Sequence, residues 1–324
     1  MTVDAKEETG GGSVILALKL GAENYDLNKG IGYAIAAYLL YGFYPVYWKL
    51  LSQVPALQLL AHRVLWSFLL LFLGILILRQ GRAFRTAALR RRVLGIYALA
   101  AILIAINWLT YVWAVAAGYI VETSLGYFIC PLVSVLLGVI FLGERLRPLQ
   151  WVTIGLAVAG VLYLTFGYGS LPWIALTLAM SFGLYGFVKK TAPLGSLYGL
   201  TLETGILFLP ALGFLFYSAR VGQGAFLQGD LRTDILLVAA GMVTIAPLLF
   251  FASAVQRASL STVGLLMYIN PTIQFLLGVW VYREPFNQAR LIGFGIVWAA
   301  LILFALDEIL NSQKRTEQSQ REMI

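Results

Sequence analysis

"YFICPLVSVLLGVIFLGER", residues 127–145, is apolar enough for a buried helix, yet it carries Pro131 in its interior. An interior proline removes one backbone hydrogen bond and crowds the carbonyl one turn back. Shifted by 140 residues, the stretch lands on "MYINPTIQFLLGVWVYREP", residues 267–285. Seven of the 19 aligned positions are identical without a gap, among them Pro131/Pro271, Gly138/Gly278 and Glu144/Glu284. A weaker match at an offset of 141 pairs Gly42 with Gly183 and Lys49 with Lys190. The chain reads as two related halves.

The surroundings of this repeat are apolar throughout. Of 324 residues 60% are hydrophobic and only 12% charged, with a mean hydropathy of +0.84. A soluble domain carries about 25% charged residues, so the balance specifies a polytopic, all-α membrane protein. One Cys and one His (Cys130 and His62) exclude an intramolecular disulfide and any Cys or His metal cluster. No cofactor is implied. The net charge of +8 does not indicate nucleic acid, because six arginines are concentrated in 79–92, between two apolar runs. A basic loop beside a membrane helix sets topology.

A span needs about 20 mostly apolar residues. Breaks at Gly, Pro and charge clusters give ten, at 30–49, 57–78, 93–114, 119–141, 149–167, 172–188, 198–217, 235–255, 260–281 and 290–308. With both termini cytoplasmic, 17 of the 23 Lys and Arg fall inside. Lys49, Arg220, Arg232, Arg283 and Arg290 fall outside, and Arg63 lies within the membrane. That asymmetry supports ten spans. The expected organisation is a cytoplasmic tail (1–29), a first five-helix repeat (30–168), a second (171–308) and a cytoplasmic tail (309–324).

Five is odd, so the halves enter the membrane in opposite orientations. Inverted repeats are the architecture of many secondary transporters, with the substrate site near the midplane where interrupted helices meet. Pro131 and Pro271 then read as matched breaks in the fourth and ninth spans.

Steps of four along those spans give Glu122, Gly126, Cys130, Ser134 and Gly138 on one, and Thr262, Leu266, Asn270, Gln274 and Gly278 on the other. Such spacing keeps residues on one slowly rotating face. Gly138 and Gly278 fit close helix packing, whereas Glu122, Asn270 and Gln274 fit a wet cavity. Ionisable groups deep in a span are costly and mark candidate sites, which selects His62 and Arg63 in the second span and Glu203 in the seventh. The structural alternatives are snorkelling for Arg63, pairing with a nearby Lys for Glu203, and an interfacial role at the helix N-terminus for Glu122. Asn107 and Trp108, with Tyr111 and Trp113, supply an aromatic, hydrogen-bonding wall in the third span. Tyr127 and Tyr268 occupy nearby positions of the fourth and ninth. Glu144 and Glu284 sit at loop junctions, which suits capping or fold closure rather than chemistry.

Several stretches, in order, carry a family resemblance: "HRVLWSF", "NWLTYVWAV", "ETSLGYFICPLVSVLLGVIFLGERL", "SFGLYGFVKKTAP", "GLTLETGILFLP" and "LSTVGLLMYINPTIQFLLGVWVYREPF". They resemble the RarD branch of the EamA-type transporters, in the drug/metabolite transporter superfamily, over essentially residues 30–305. The resemblance implies ten helices, inverted repeats and a permease of the bacterial inner (plasma) membrane. It also implies "YFINPL" where this chain has "YFICPL", so Cys130 stands where Asn is expected and a symmetrical pair of Asn ligands is broken.

The resulting expectation is a secondary-active transporter that exports a small metabolite or drug by alternating access, with protons as a candidate coupling ion through His62 or Glu203. No G-x-x-x-x-G-K-[ST] stretch occurs, so the chain itself carries no such nucleotide loop. A membrane-embedded enzyme is the second class, but one His and one Cys on different spans leave little chemistry for it. A channel is the third; channels present rings of like residues, whereas the repeat sets Cys130 against Asn270 and Ser134 against Gln274.

Overall fold

The computed structural model describes residues 26–116, 120–166, 173–228, 230–281, 291–293, 295–296, 298–300, 302–304, 306–307 and 310. The regular elements in this part of the chain are helices. α1 covers residues 26–42 and is followed by α2 (Tyr44–Lys49), α3 (Ala56–Ile77), α4 (Gly81–Ala88) and α5 (Arg91–Ala116). Then come α6 (Ile120–Leu142), α7 (Pro148–Phe166), α8 (Trp173–Thr191), α9 (Ser196–Arg220) and α10 (Leu231–Arg257). The ninth expected span is divided into α11 (Leu260–Leu266) and α12 (Ile269–Leu276), and helical residues recur within 291–310. In hydrocarbon a helix satisfies its own backbone polar groups, which is why apolar runs of this length adopt it. Among the described residues four helices are long and apolar enough to cross a membrane, Ala56–Ile77, Arg91–Ala114, Ser196–Arg220 and Leu231–Arg257. Shorter apolar helices include Gly126–Leu142 and Pro148–Tyr163. Leu209 and Ile77 stand 72% and 71% exposed, as side chains facing lipid would.

Three details differ from the sequence expectation. Pro131 does not break its helix: α6 runs through it without interruption. The missing N–H leaves the carbonyl of Tyr127 without its usual amide partner, which membrane helices tolerate when neighbours pack closely. The ninth span is interrupted, but at Met267–Tyr268, before Pro271. Pro271 then falls in the first turn of α12, where the absent N–H has no intrahelical acceptor to lose. The basic 79–92 stretch, expected as a loop, contains the short α4, with Ala88 buried.

Small residues set the helix spacing. A Cβ on Gly126 would lie 3.0 Å from Leu178 Cβ and one on Gly183 would lie 2.5 Å from Val133 Cγ1, so α6 and α8 meet almost backbone to backbone. On α11, a Cβ at Gly264 would lie 2.7 Å from Ser134 Cβ. The Gly126–Ser134–Gly138 stripe is therefore a packing ridge. Helices that the 140-residue offset makes equivalent pack on each other, α3 on α9 and α6 on α11. So do the equivalent residues Phe128 and Tyr268, with ring centroids 6.2 Å apart and the Tyr268 hydroxyl donating to Phe128 O at 3.2 Å.

One carboxylate ties the halves together. Glu144 Oε1 accepts from Leu260 N at 2.6 Å and Oε2 from Ser261 N at 2.9 Å, capping α11 from the end of α6. Gly143, at φ +65°, turns the chain so that Glu144 reaches back. Lys190 Nζ donates to Ala258 O at 2.6 Å beside it. Fold closure, expected for Glu144, is what its geometry performs; Glu284 lies outside the described residues. Glu144→Gln keeps one acceptor and sets an NH2 against an N–H, so thermal unfolding in detergent should show a loss of about 1–2 kcal/mol. An unchanged melting temperature would remove the cap from the stabilising contacts. At the opposite end, Asp230 caps α10 and accepts from the Thr233 hydroxyl and from Arg232 N; the Thr233 bond above all holds its carboxyl below the usual range.

Candidate substrate cavity

An aromatic stripe opens the site. Tyr38, Tyr41, Tyr44 and Trp48 recur at steps of three and four on α1 and α2, so they share one face. They line a cavity of about 50 Å³ together with Arg63 from α3 and Asn107, Trp108 and Tyr111 from α5. Tyr127 (α6) and Phe182 (α8) continue the wall, and Met267, Asn270 and Gln274 complete it from the interrupted ninth span. Both halves of the chain therefore contribute.

Arg63 is 4% exposed. Its Nε donates to Thr244 Oγ1 on α10 at 3.0 Å. The guanidinium carbon lies 4.6 Å from the ring centroids of both Trp48 and Trp108, and 6.0 Å from that of Tyr44. Two indoles this close stabilise a cation held away from water. Asn107 Nδ2 donates to Leu178 O at 3.0 Å and to Ser181 Oγ at 3.1 Å, which fixes its amide against α8. Gln274 Nε2 donates to Asn270 Oδ1 at 2.8 Å, one turn apart on α12. Tyr111 and Tyr127 meet edge to face at 5.9 Å.

Of the residues singled out from the sequence, Arg63, Asn107, Trp108, Tyr111, Tyr127, Asn270 and Gln274 converge on this cavity. Others go elsewhere. Cys130 is 1% exposed in the apolar core and Tyr268 is buried beside Phe128. His62, one residue and so about 100° from Arg63 on α3, packs 5.3 Å from Phe226 of the α9–α10 loop, which Gln58 fastens through Gln223 O and Ala225 N. Glu203 pairs with Lys189 at 2.7 Å and accepts from the Tyr185 hydroxyl at 2.9 Å, away from the cavity wall. Glu122 lies in the first turn of α6, and its side chain lies outside the described residues. Trp113, 46% exposed and 5.6 Å from Trp173, belongs to an outer aromatic belt. The stripe from Tyr38 to Trp48, Phe182 and Thr244 was not selected from the sequence. The i, i+3, i+4 aromatic spacing was the available signal for the stripe; nothing marks Phe182 or Thr244.

A second, apolar space of about 190 Å³ lies between α3, α5 and α9. Trp108 forms part of both walls, so its indole is the partition between a polar and an apolar compartment.

Comparison of the sequence with known proteins gives a family. A model described as the EamA-like transporter family matches residues 28–166. The protein named Uncharacterized transporter YojE from Bacillus subtilis is 45% identical over 291 residues, covering 89% of this chain and 97% of that protein. Protein RarD from Streptomyces exfoliatus is 44% identical, covering 90% and 93%, and Protein RarD from Escherichia coli is 42% identical, covering 90% and 98%. One solved crystal structure, only 16% identical, superposes with a TM-score of 0.63 over 86% of this chain and 97% of its own, a likeness of fold alone.

Proposed function

Because the chain belongs to the EamA-like transporter family, with RarD proteins among its relatives, we propose that its aromatic cavity is the substrate site of an alternating-access exporter. The chain is a membrane transporter, not an enzyme, as its relatives' names and its apolar helices state together. The finer reading is a permease of the bacterial inner membrane with ten crossings, two inverted five-helix repeats and cytoplasmic termini. Its substrate is a small metabolite or drug. The observation that carries it is a cavity walled by both halves, at a helix interruption, with a few polar groups among aromatics. The equivalent pairs α3/α9 and α6/α11 support the repeat, since elements on a two-fold axis must meet their own counterparts.

At about 50 Å³ the cavity is far smaller than the roughly 300–1,000 Å³ of a drug-sized ligand site. Transport therefore requires the wall to expand, which rocking of one half against the other provides. Met267→Cys in a Cys130→Ala background tests this without a substrate. A membrane-impermeant maleimide should reach it from either face of oriented vesicles. Reaction from one face only, or from neither, would sink alternating access. A steady ionic conductance across a bilayer would replace it with a pore.

A second reading, proton coupling, is favoured by His62, whose buried Nδ1 has no hydrogen-bond partner among the described residues. Flux that follows an imposed pH gradient in proteoliposomes, and ceases to follow it in His62→Gln, would establish that reading.

A further inference from the structure

Among the described residues, the buried cations Lys189 and Arg63 are treated differently. Lys189, 0% exposed, is neutralised by Glu203. Among the described residues, Arg63 has no carboxylate beside it and no acidic side chain lines its cavity. Thr244 takes its Nε, while Nη1 and Nη2 have no acceptor among the described residues. The indoles of Trp48 and Trp108 hold the guanidinium by its faces, but a ring face does not replace an in-plane hydrogen-bond acceptor. Lining residues add further donors. The hydroxyls of Tyr38 and Tyr41 and Nε1 of Trp48 are buried without partners among the described residues. Nδ2 of Asn270 is not used by the Gln274 bond, which falls on Oδ1.

We infer that the cavity selects an organic monoanion, a carboxylate on an aromatic or apolar body. The two free Nη groups match the two oxygens of a carboxylate in parallel, the geometry a guanidinium fork favours. The body then lies against the indole of Trp108 and the tyrosine rings. This inference rests on the reading of the cavity as the substrate site. An inside-negative membrane potential drives an anion outward, in the direction already proposed.

Phenylacetate, phenylacetamide and 2-phenylethylamine keep one shape and vary the charge. With the purified full chain in detergent, about 10 mM phenylacetate should raise the melting temperature while the amide and the amine do not. Equal protection by the amide or the amine, or none by phenylacetate, overturns the inference. Arg63→Gln should weaken phenylacetate binding about tenfold or more, and unchanged binding also overturns it. Should that variant fail to fold, the charge series on the unmodified protein decides alone. Proteoliposome flux separates the two readings. Phenylacetate that binds at Arg63 but never crosses sinks the transport reading and leaves the anion site. Phenylethylamine that crosses, with phenylacetate giving no protection, sinks the anion inference and leaves the transporter.

Discussion

Glu203→Ala should lower the unfolding free energy by about 3–5 kcal/mol, whereas Lys189→Met with Glu203→Leu should recover most of that loss. The reason is the state of the partner. Lys189 and Glu203 are 0% and 1% exposed, and their charged atoms are 2.7 Å apart. The Tyr185 hydroxyl donates to the second Glu203 oxygen, and the rings of Tyr97 and Tyr185 lie 5.3 and 5.9 Å from Nζ. Gly199 leaves room for the ammonium, since a Cβ there would stand 2.9 Å from Nζ. Removing Glu203 alone strands a cation in this enclosure. Replacing both ions with apolar chains strands only the Tyr185 hydroxyl, a loss of about 1–3 kcal/mol. Reversible unfolding of the two variants in mixed micelles measures the difference. A Glu203→Ala change of less than about 1 kcal/mol would mean that the pair is not a structural charge pair at all. Loss of flux with stability intact would return Glu203 to the coupling role that its depth in the seventh span first suggested.

That outcome bears on what a sequence can and cannot fix. Span positions were legible because hydrophobic length is a one-dimensional property: 57–78 became Ala56–Ile77 and 198–217 became Ser196–Arg220. Burial was legible as well: His62, Arg63 and Glu203, ionisable residues inside apolar runs, are all buried in the fold. Azimuth was not. Consecutive residues point about 100° apart on a helix, so His62 and Arg63 share a depth yet face a loop and a cavity respectively. Proline was a mixed signal. The repeat identified the right helix to interrupt in the second half, but the backbone break moved to Met267–Tyr268, and the first-half counterpart stayed whole. The Tyr38–Trp48 stripe was hidden for a different reason: aromatics in a membrane protein are abundant as interface anchors, and only the folded contacts separate a cavity wall from a belt.

Asn270→Ala should reduce phenylacetate counterflow in proteoliposomes about tenfold or more, while Cys130→Ala should leave it within about twofold. The 140-residue offset makes the two positions equivalent, but their surroundings are not. Asn270 lines the cavity and accepts from Gln274 Nε2 at 2.8 Å. Its removal leaves that amide only a long 3.4 Å bond to Tyr41 O, so two polar groups of the wall are lost or misplaced by one substitution. A site that uses hydrogen bonds loses discrimination steeply when one is deleted, because the remaining buried polar groups are left unpaired. Cys130 is in the apolar core, outside the cavity wall, and a thiol is only a weak hydrogen-bonding group. Truncating it removes one buried sulfur, with a stability loss of about 1 kcal/mol and no change at the substrate. Melting temperatures measured beside the fluxes keep the two effects apart. Equal flux losses at matched stability would place Cys130 on the substrate path as well and restore the symmetry that the Cys/Asn difference breaks.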